Sequence, residues 1–266
     1  MNENPLGKQI PSPKGYDPSL LFPIERPETD LPIYGFDLWR SYELAWLNEK
    51  GRPCIGILEM IYPRQSRFIV ESKSMKLYLH GLSDMIFDSR ENLAATITSD
   101  LEGILESPWL SVAIYDEDRM EALIPGRSSF ARCIDLLDIP VQNTGLDPTV
   151  LCTEDSRTEE VLCSHILRTY CPITHQPDWG SVFVSYAGKK ISEESLLLYL
   201  CSYRSHEGFA EQCCEQIYTD IMTRCRPDRL MVSCRYTRRG GIDINPVRAS
   251  YEVSPDRMKP GRLVRQ

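Results

Sequence analysis

The sequence predicts an α+β fold with antiparallel sheets, built on an internal duplication. Lys76-Leu77-Tyr78-Leu79 returns as Leu197-Leu198-Tyr199-Leu200 at an offset of 121. Ile97-Thr98-Ser99-Asp100-Leu101 returns as Ile217-Tyr218-Thr219-Asp220-Ile221, and Leu110-Ser111-Val112 as Leu230-Met231-Val232, both at an offset of 120. Three matches in one register, each within the same predicted element, indicate a repeat. The repeated unit reads as strand, strand, helical region, strand, strand. It lacks a βαβ rhythm, which points to antiparallel pairing. The third observation is composition. With 266 residues, 42% hydrophobic and 26% charged, the chain has ample material for a core, and collagen-like, low-complexity and disordered classes are excluded.

Each element has its own signal. Residues 1–34 carry seven prolines, from Pro5 to Pro32, and read as an extended N-terminal arm. Regular patterning begins at Tyr34-Gly35-Phe36. Cys54 to Ile61 reads as a strand, and Leu77 to Leu79 as strand-like. Glu91 to Glu106 reads as an amphipathic helix, because Leu93, Ile97, Leu101 and Leu105 recur every four residues. Trp109 to Tyr115 and Ala131 to Ile139 read as strands, and Gln142 to Pro148 as a loop. That loop sets the expected modules at 35–145 and 146–266. In the second module an amphipathic helix is expected before Cys171, then a strand from Ser181 to Tyr186 and a helix from Glu211 to Arg224.

Charge and cysteine content narrow the function classes. The net charge is −8, but residues 221–266 hold 11 Lys and Arg against 4 Asp and Glu. A basic segment on an acidic chain suggests a local anion site rather than broad nucleic-acid binding. No apolar run approaches the roughly 20 residues of a membrane span. The N-terminus shows no basic-then-apolar leader, so a cytoplasmic protein is expected, and its ten cysteines read as reduced thiols.

Four stretches could carry chemistry. In the first, Cys163, His165, Cys171 and His175 would be a zinc set, but Cys163 and His165 would diverge on a helix and the chain contains no Cys-x-x-Cys, so no metal is expected. Cys171 in its polar surroundings suits a nucleophile, with Asp178 and His175 the nearest groups able to take its proton, and a structural loop cysteine is the plain alternative. The second stretch, Val70-Glu71-Ser72-Lys73-Ser74-Met75-Lys76, offers a carboxylate for an N–H/NH₂ edge such as that of guanine, and ammonium groups for a phosphate. A solvated strand edge is its plain alternative. The third, Phe209-Ala210-Glu211-Gln212, enters a helix, where Glu211 complements the dipole. The fourth, Tyr236-Thr237-Arg238-Arg239-Gly240-Gly241, allows a sharp turn that can cradle an anion; a basic hairpin tip is the alternative. Neither Gly-x-Gly-x-x-Gly nor a Walker lysine is present, so a nucleotide would not be held by a Rossmann or P-loop device.

Taken together, Glu71-Ser-Lys-Ser-x-Lys-Leu-Tyr-Leu79, Cys171-Pro-x-Thr-x-Gln-Pro-Asp178, Phe209-x-Glu211-Gln-Cys and Tyr236-Thr-Arg-Arg-Gly-Gly-x-Asp-Ile-Asn-Pro resemble the NADPH-dependent 7-cyano-7-deazaguanine reductases, nitrile reductases of queuosine biosynthesis, in their long two-module form. The resemblance covers nearly the whole chain. It implies tandem tunnelling-fold modules of ββααββ order, and a four-electron reduction of nitrile to primary amine with two NADPH and no metal. It also implies roles: Cys171 as the nucleophile forming a covalent thioimide, and Asp178 as the general acid/base. Val70, Glu71, Ser72, Ala210 and Glu211 lie at the deazaguanine, and Ser72, Lys73, Arg239 and Gly240 contact NADPH. A homodimer is implied, with neither membrane nor nucleic acid as a direct partner.

One position departs from the pattern: the family carries His where this chain has Ala210. That predicts slower turnover with adduct formation at Cys171 retained. His206, four residues earlier, would share a face with Ala210 only if the segment were helical. Competing expectations are a catalytically impaired purine-binding module of the same fold, a cysteine hydrolase pairing Cys171 with His175, and a basic RNA binder.

Overall fold

The computed structural model describes residues 15–115, 131–141, 145–259 and 261–266. Its elements are β1 (Pro23–Glu25), β2 (Tyr34–Leu47), β3 (Pro53–Pro63), β4 (Phe68–Val70), α1 (Ser72–Gly81), α2 (Arg90–Leu105), β5 (Ser111–Tyr115), β6 (Arg132–Cys133), β7 (Thr153–Tyr170), β8 (Pro177–Ile191), α3 (Glu193–Ser202), α4 (Ala210–Cys225), β9 (Arg229–Tyr236), β10 (Ile242–Ala249) and α5 (Pro255–Met258). This is a mixed α+β chain whose strands pair almost entirely antiparallel. The described residues form two compact units. Unit 1 holds 15–28, 38–115 and 238–243, and unit 2 holds 29–37, 131–141, 145–237, 244–259 and 261–266.

In unit 1 the strand order is β5-β3-β2, and β1 pairs separately with β4. The α2 periodicity is realised: Leu93, Ile97, Leu101 and Leu105 are all fully buried. Ser89 caps the helix, its hydroxyl accepting from Asn92 N, and Glu106 ends it in the left-handed region at φ 44°. The Asp100 carboxylate on α2 accepts from the Tyr78 hydroxyl of α1 at 2.6 Å, which ties the two helices together.

Unit 2 has the order β10-β9-β8-β7-β6. Its core joins strand residues such as Leu162, Val182 and Val232 to Leu196 and Leu200 of α3 and Ile217 of α4. Several contacts repeat those of unit 1. The Tyr199 hydroxyl on α3 donates to Asp220 on α4 at 2.5 Å, and α4 ends on left-handed Arg226 at φ 48°. Asp17 and Asp147 each cap a 3-10 turn that opens on proline.

Three expectations are corrected. Leu77 to Leu79 is helical: Ser74, Met75, Tyr78, Leu79 and Gly81 are the buried positions of α1, a spacing of three to four where a strand would give two. The segment before Cys171 is the long strand β7, with a register shift between Ser164 and Leu167 that breaks its alternation. The strand expected from Ala131 to Ile139 is confined to Arg132–Cys133. Beyond it the Asp135 carboxylate takes the His165 N–H at 2.8 Å and the Ser164 hydroxyl at 2.6 Å, so a side chain occupies a backbone donor of β7. The expected boundary loop falls partly on 142–144, outside the described residues.

A charged cluster sits in the interior of unit 2. The Arg248 guanidinium, fully buried on β10, meets Asp37 at 2.8 Å and Glu215 of α4 at 3.3 Å. Removing one partner from such a set leaves uncompensated charge out of water. Arg248→Ala is expected to lower the unfolding free energy by about 3–5 kcal/mol. Urea denaturation followed by circular dichroism checks it, and a loss below about 1 kcal/mol contradicts it.

Candidate active site

Cys171 lies in the connection 171–176 between β7 and β8, half-buried. The turn is closed by two backbone bonds, Cys171 N to Gln176 O at 3.0 Å and His175 N to Cys171 O at 2.9 Å. Pro172 fixes one dihedral at its start, and His175 supplies a left-handed residue at φ 52°, which lets six residues reverse the chain. The neighbouring Tyr170 is gripped from both sides: its N–H donates to His206 O at 2.8 Å, and its carbonyl accepts from Gly208 N at 3.0 Å. The cysteine turn is thereby fastened to the segment that leads into α4.

That segment delivers Ala210 and Glu211 as the first two residues of α4. Glu211 is 2% exposed, and the N-cap Phe209 gives the helix no side-chain hydrogen bond. Asp178, the second residue of β8, pairs with Thr169 across the β7–β8 ladder. Burial pushes the Cys213 thiol up to about 12, and the nearby charges of Glu211 and Asp178 add to that rise. Burial likewise pushes Cys163 up to about 12 and Cys225 up to about 11, which disfavours the free thiolate at both.

His175, the alternative base, is turned outward. Its Nδ1 lies 2.9 Å from Glu207, and both side chains are more than half exposed. His206 precedes α4 in an extended conformation, so it does not share a helical face with Ala210. Its ring packs edge-on against Tyr203 at 5.2 Å, and burial lowers its pKa. Ala210 is partly buried against the unit 2 core.

The remaining sequence-predicted residues fall in unit 1. Glu71 is the N-cap of α1: one carboxylate oxygen accepts Lys73 N at 2.9 Å and the other Ser74 N at 2.7 Å. The side chain is 2% exposed, and its backbone N–H donates to Phe22 O at 2.9 Å. Val70, buried at the end of β4, precedes it, and Ser72 and Lys73 open the helix. The Glu-Ser-Lys-Ser segment is therefore a helix N-terminus and not a strand edge.

The Arg238-Arg239-Gly240-Gly241 turn meets the same helix. A Cβ on Gly240, which sits at φ +55°, would lie 3.0 Å from Cδ of Lys76. At Gly241, φ +74°, a Cβ would fall 2.5 Å from Glu43 Cδ. Both glycines are needed, for their dihedrals and for the close approach. Arg238 stacks over the Tyr42 ring at 4.9 Å, and the Tyr42 hydroxyl donates to Asp243 at 2.7 Å. Two motifs more than 160 residues apart are thus neighbours in unit 1. Paired glycines signalled a close backbone approach, but Lys76 and Glu43 as the groups approached had no local signal in the sequence.

Two family models match this chain: one described as nitrile reductase, 7-cyano-7-deazaguanine-reductase N-terminal, over residues 13–112, and one described as QueF-like protein over residues 177–255. The first interval contains Glu71 and the second contains Asp178, Glu211, Arg239 and Gly240. The protein named NADPH-dependent 7-cyano-7-deazaguanine reductase of Hydrogenovibrio crunogenus is 42% identical over 98% of this chain and 96% of its own length. Proteins of the same name from Desulfotalea psychrophila and Coxiella burnetii are also 42% identical, over 93% and 92% of this chain and 92% and 91% of theirs. The chain belongs to the 7-cyano-7-deazaguanine reductase family.

Proposed function

We propose that this chain reduces the nitrile of 7-cyano-7-deazaguanine to the primary amine, with NADPH as reductant, through a covalent adduct on Cys171. The observation that carries this reading is the fastening of the Cys171 turn, through Tyr170, to the segment that leads into α4, whose first two residues are Ala210 and Glu211. The relatives' shared name supplies substrate and reductant.

A nitrile carbon is a weak hydride acceptor. Addition of the Cys171 sulfur forms a C–S bond and turns C≡N into C=N, a thioimide whose carbon accepts hydride more readily. The thiol proton leaves to Asp178, which hands it to the nitrogen. Asp178 supplies further protons to nitrogen as reduction proceeds, and the C–S bond breaks to return Cys171. Any imine formed on the way hydrolyses in water, so the residues around the thiol must also exclude solvent. Glu211 grips the N–H/NH₂ edge of the deazaguanine by accepting two hydrogen bonds.

Unit 1 fits the reductant. Lys73 and Lys76 bring positive charge to the first turns of α1, and Gly240, which follows Arg239, comes within contact of the Lys76 side chain. Ser72, Lys73, Arg239 and Gly240 would hold NADPH, which when bound supplies the hydrides, two per nitrile. Glu71 adds its carboxylate to the substrate contacts beside Val70 and Ser72. Each of its oxygens already accepts one backbone N–H, which leaves each a further lone pair. The reading extends to tandem tunnelling-fold modules at 35–145 and 146–266 behind an arm of 1–34, and to a cytoplasmic homodimer without membrane or direct nucleic-acid partners.

Ala210 favours a second reading, a catalytically impaired purine-binding module. A methyl group stands at the first position of α4 where the family resemblance places an imidazole, and His206 is not on a shared helical face to replace it.

Intact-mass analysis tests the adduct. Mixing the chain with 7-cyano-7-deazaguanine is expected to add one nitrile mass, lost on addition of NADPH and absent from Cys171→Ala. No mass increase on the wild-type chain contradicts the thioimide. Ala210→His is expected to raise the rate of NADPH oxidation in a stopped-flow absorbance assay; an unchanged rate favours the binding module. The two roles of Glu71 separate by substitution. Glu71→Ala is expected to lose about 1 kcal/mol of stability with the cap, whereas Glu71→Ser keeps most of the stability yet weakens substrate binding. Thermal melts and isothermal titration read the two effects, and unaltered binding by Glu71→Ser confines Glu71 to capping.

A further inference from the structure

Among the described residues, three metal-ligating side chains gather outside the site above: Cys133, Cys163 and His165, with both sulfurs and a ring nitrogen all within 4.8 Å of one another. They are not the four-residue set weighed from the sequence, and the reason that set failed is instructive. Cys163 and His165 diverge on a helix, but the segment is the strand β7, where residues two apart point to the same face. Cys133 on β6 is the register partner of Cys163 in the parallel β6–β7 pair, so its side chain joins that face.

We propose that Cys133, Cys163 and His165 form a three-ligand zinc site that secures β6 against β7. The observed spacing suits the ion. Tetrahedral zinc with bonds of about 2.3 Å to sulfur and about 2.05 Å to nitrogen separates S from N by roughly 3.6 Å and S from S by roughly 3.8 Å. Cys163 Sγ and His165 Nε2 are 4.0 Å apart, within half an ångström of that edge. The ring is already oriented for the task. His165 Nδ1 lies 2.8 Å from the Ser181 hydroxyl, which leaves Nε2 toward the sulfurs, and Phe183 packs edge-on against the ring at 6.1 Å. A partner on the second nitrogen is the usual outer-sphere support for a metal-bound histidine.

The nearby Asp135 carboxylate is not among the ligand atoms that gather within 4.8 Å of one another. Its two oxygens accept from Ser164 Oγ and His165 N. The fourth position therefore falls to water or an added anion on the side of Cys133, which is exposed. The thiol pair and imidazole select a borderline-soft cation over magnesium or calcium. The consequence is structural. β6 pairs through only two residues, Arg132 and Cys133, and metal–ligand bonds would hold this short edge in place. The inference is independent of the reductase reading.

The test uses the full chain, reduced with a phosphine and freed of metal by chelation. One equivalent of Co²⁺ is expected to give thiolate-to-cobalt charge-transfer absorption with tetrahedral d–d bands, and Zn²⁺ is expected to bleach them. Cys133→Ser and His165→Gln are each expected to weaken cobalt binding at least about 100-fold, and Ser181→Ala about tenfold, while Cys171→Ala leaves the spectrum intact. Cys133 is exposed, so its replacement does not disturb the core. Absence of the charge-transfer band at one equivalent overturns the proposal. So does a band that either Cys133→Ser or His165→Gln retains at wild-type affinity.

Discussion

A guanidinium without water around it must be surrounded by its own chain, and in unit 2 that demand falls on Arg248. Its Nη1 reaches Asp37 and the Phe36 carbonyl, and its Nε reaches Glu215. These partners belong to β10, to the opening of β2 and to α4. Each ionised group would carry a penalty of several kcal/mol if left alone, so the three elements are bound to one arrangement. Glu215 lies four residues after Glu211, one helical turn along the same buried face. The cluster that fixes the register of α4 against the strands therefore also fixes the height at which Glu211 and Ala210 stand. On the other side, Tyr170 joins the segment before α4 to the cysteine turn. The placement of Glu211 is thereby tied to a buried electrostatic constraint through one helix.

Helices with a full turn-by-turn apolar stripe were legible from sequence. α2 announces itself because four leucines and isoleucines at a spacing of four all end fully buried, and α4 because Ile217 and Ile221 do the same. The short pieces were not legible. Leu77-Tyr78-Leu79 satisfies a strand pattern as well as a helical one, and what decides it is the cap: Glu71 takes two backbone N–H groups that a strand would not present together. β7 fails the other way. Its 18 residues include a register shift, so apolar positions drift out of strict alternation and imitate a helical stripe. Misreading β7 hid the shared face of Cys163 and His165, because a two-residue spacing has opposite meanings in the two structures. At the candidate site, the motif residues stood out in the sequence, but the neighbours that hold them, such as Tyr170 and Glu43, carry no local signal.

Several contacts recur between unit 1 and unit 2. What recurs between the halves is geometry. A helix tyrosine donates to an aspartate on the next helix in both, Tyr78 to Asp100 and Tyr199 to Asp220. Both second helices stop on a left-handed residue, Glu106 and Arg226, and aspartate-capped proline turns occur at Asp17 and Asp147. These contacts close hydrogen bonds at helix ends and between helices, and they serve the fold whatever the chain does.

The helix N-termini are where the halves part. α3 opens on Ser192 and α2 on Ser89, ordinary hydroxyl caps whose only evident duty is to satisfy a backbone donor. Their counterparts are different. α1 opens on a buried carboxylate, Glu71, and α4 opens on Phe209 with no side-chain cap and a buried carboxylate one position inside. A serine cap is small, neutral and already adequate for stability. Replacing it by a buried acid costs desolvation that capping alone does not require. Leaving a helix start without a side-chain cap sets N–H groups and a positive dipole end beside that acid. In each half, then, one of two equivalent helix starts keeps the economical cap and the other holds a group suited to gripping a polar ring edge. The two units thus share the bonds inside and between their helices and differ at one helix start each, where a buried carboxylate stands in place of a serine cap.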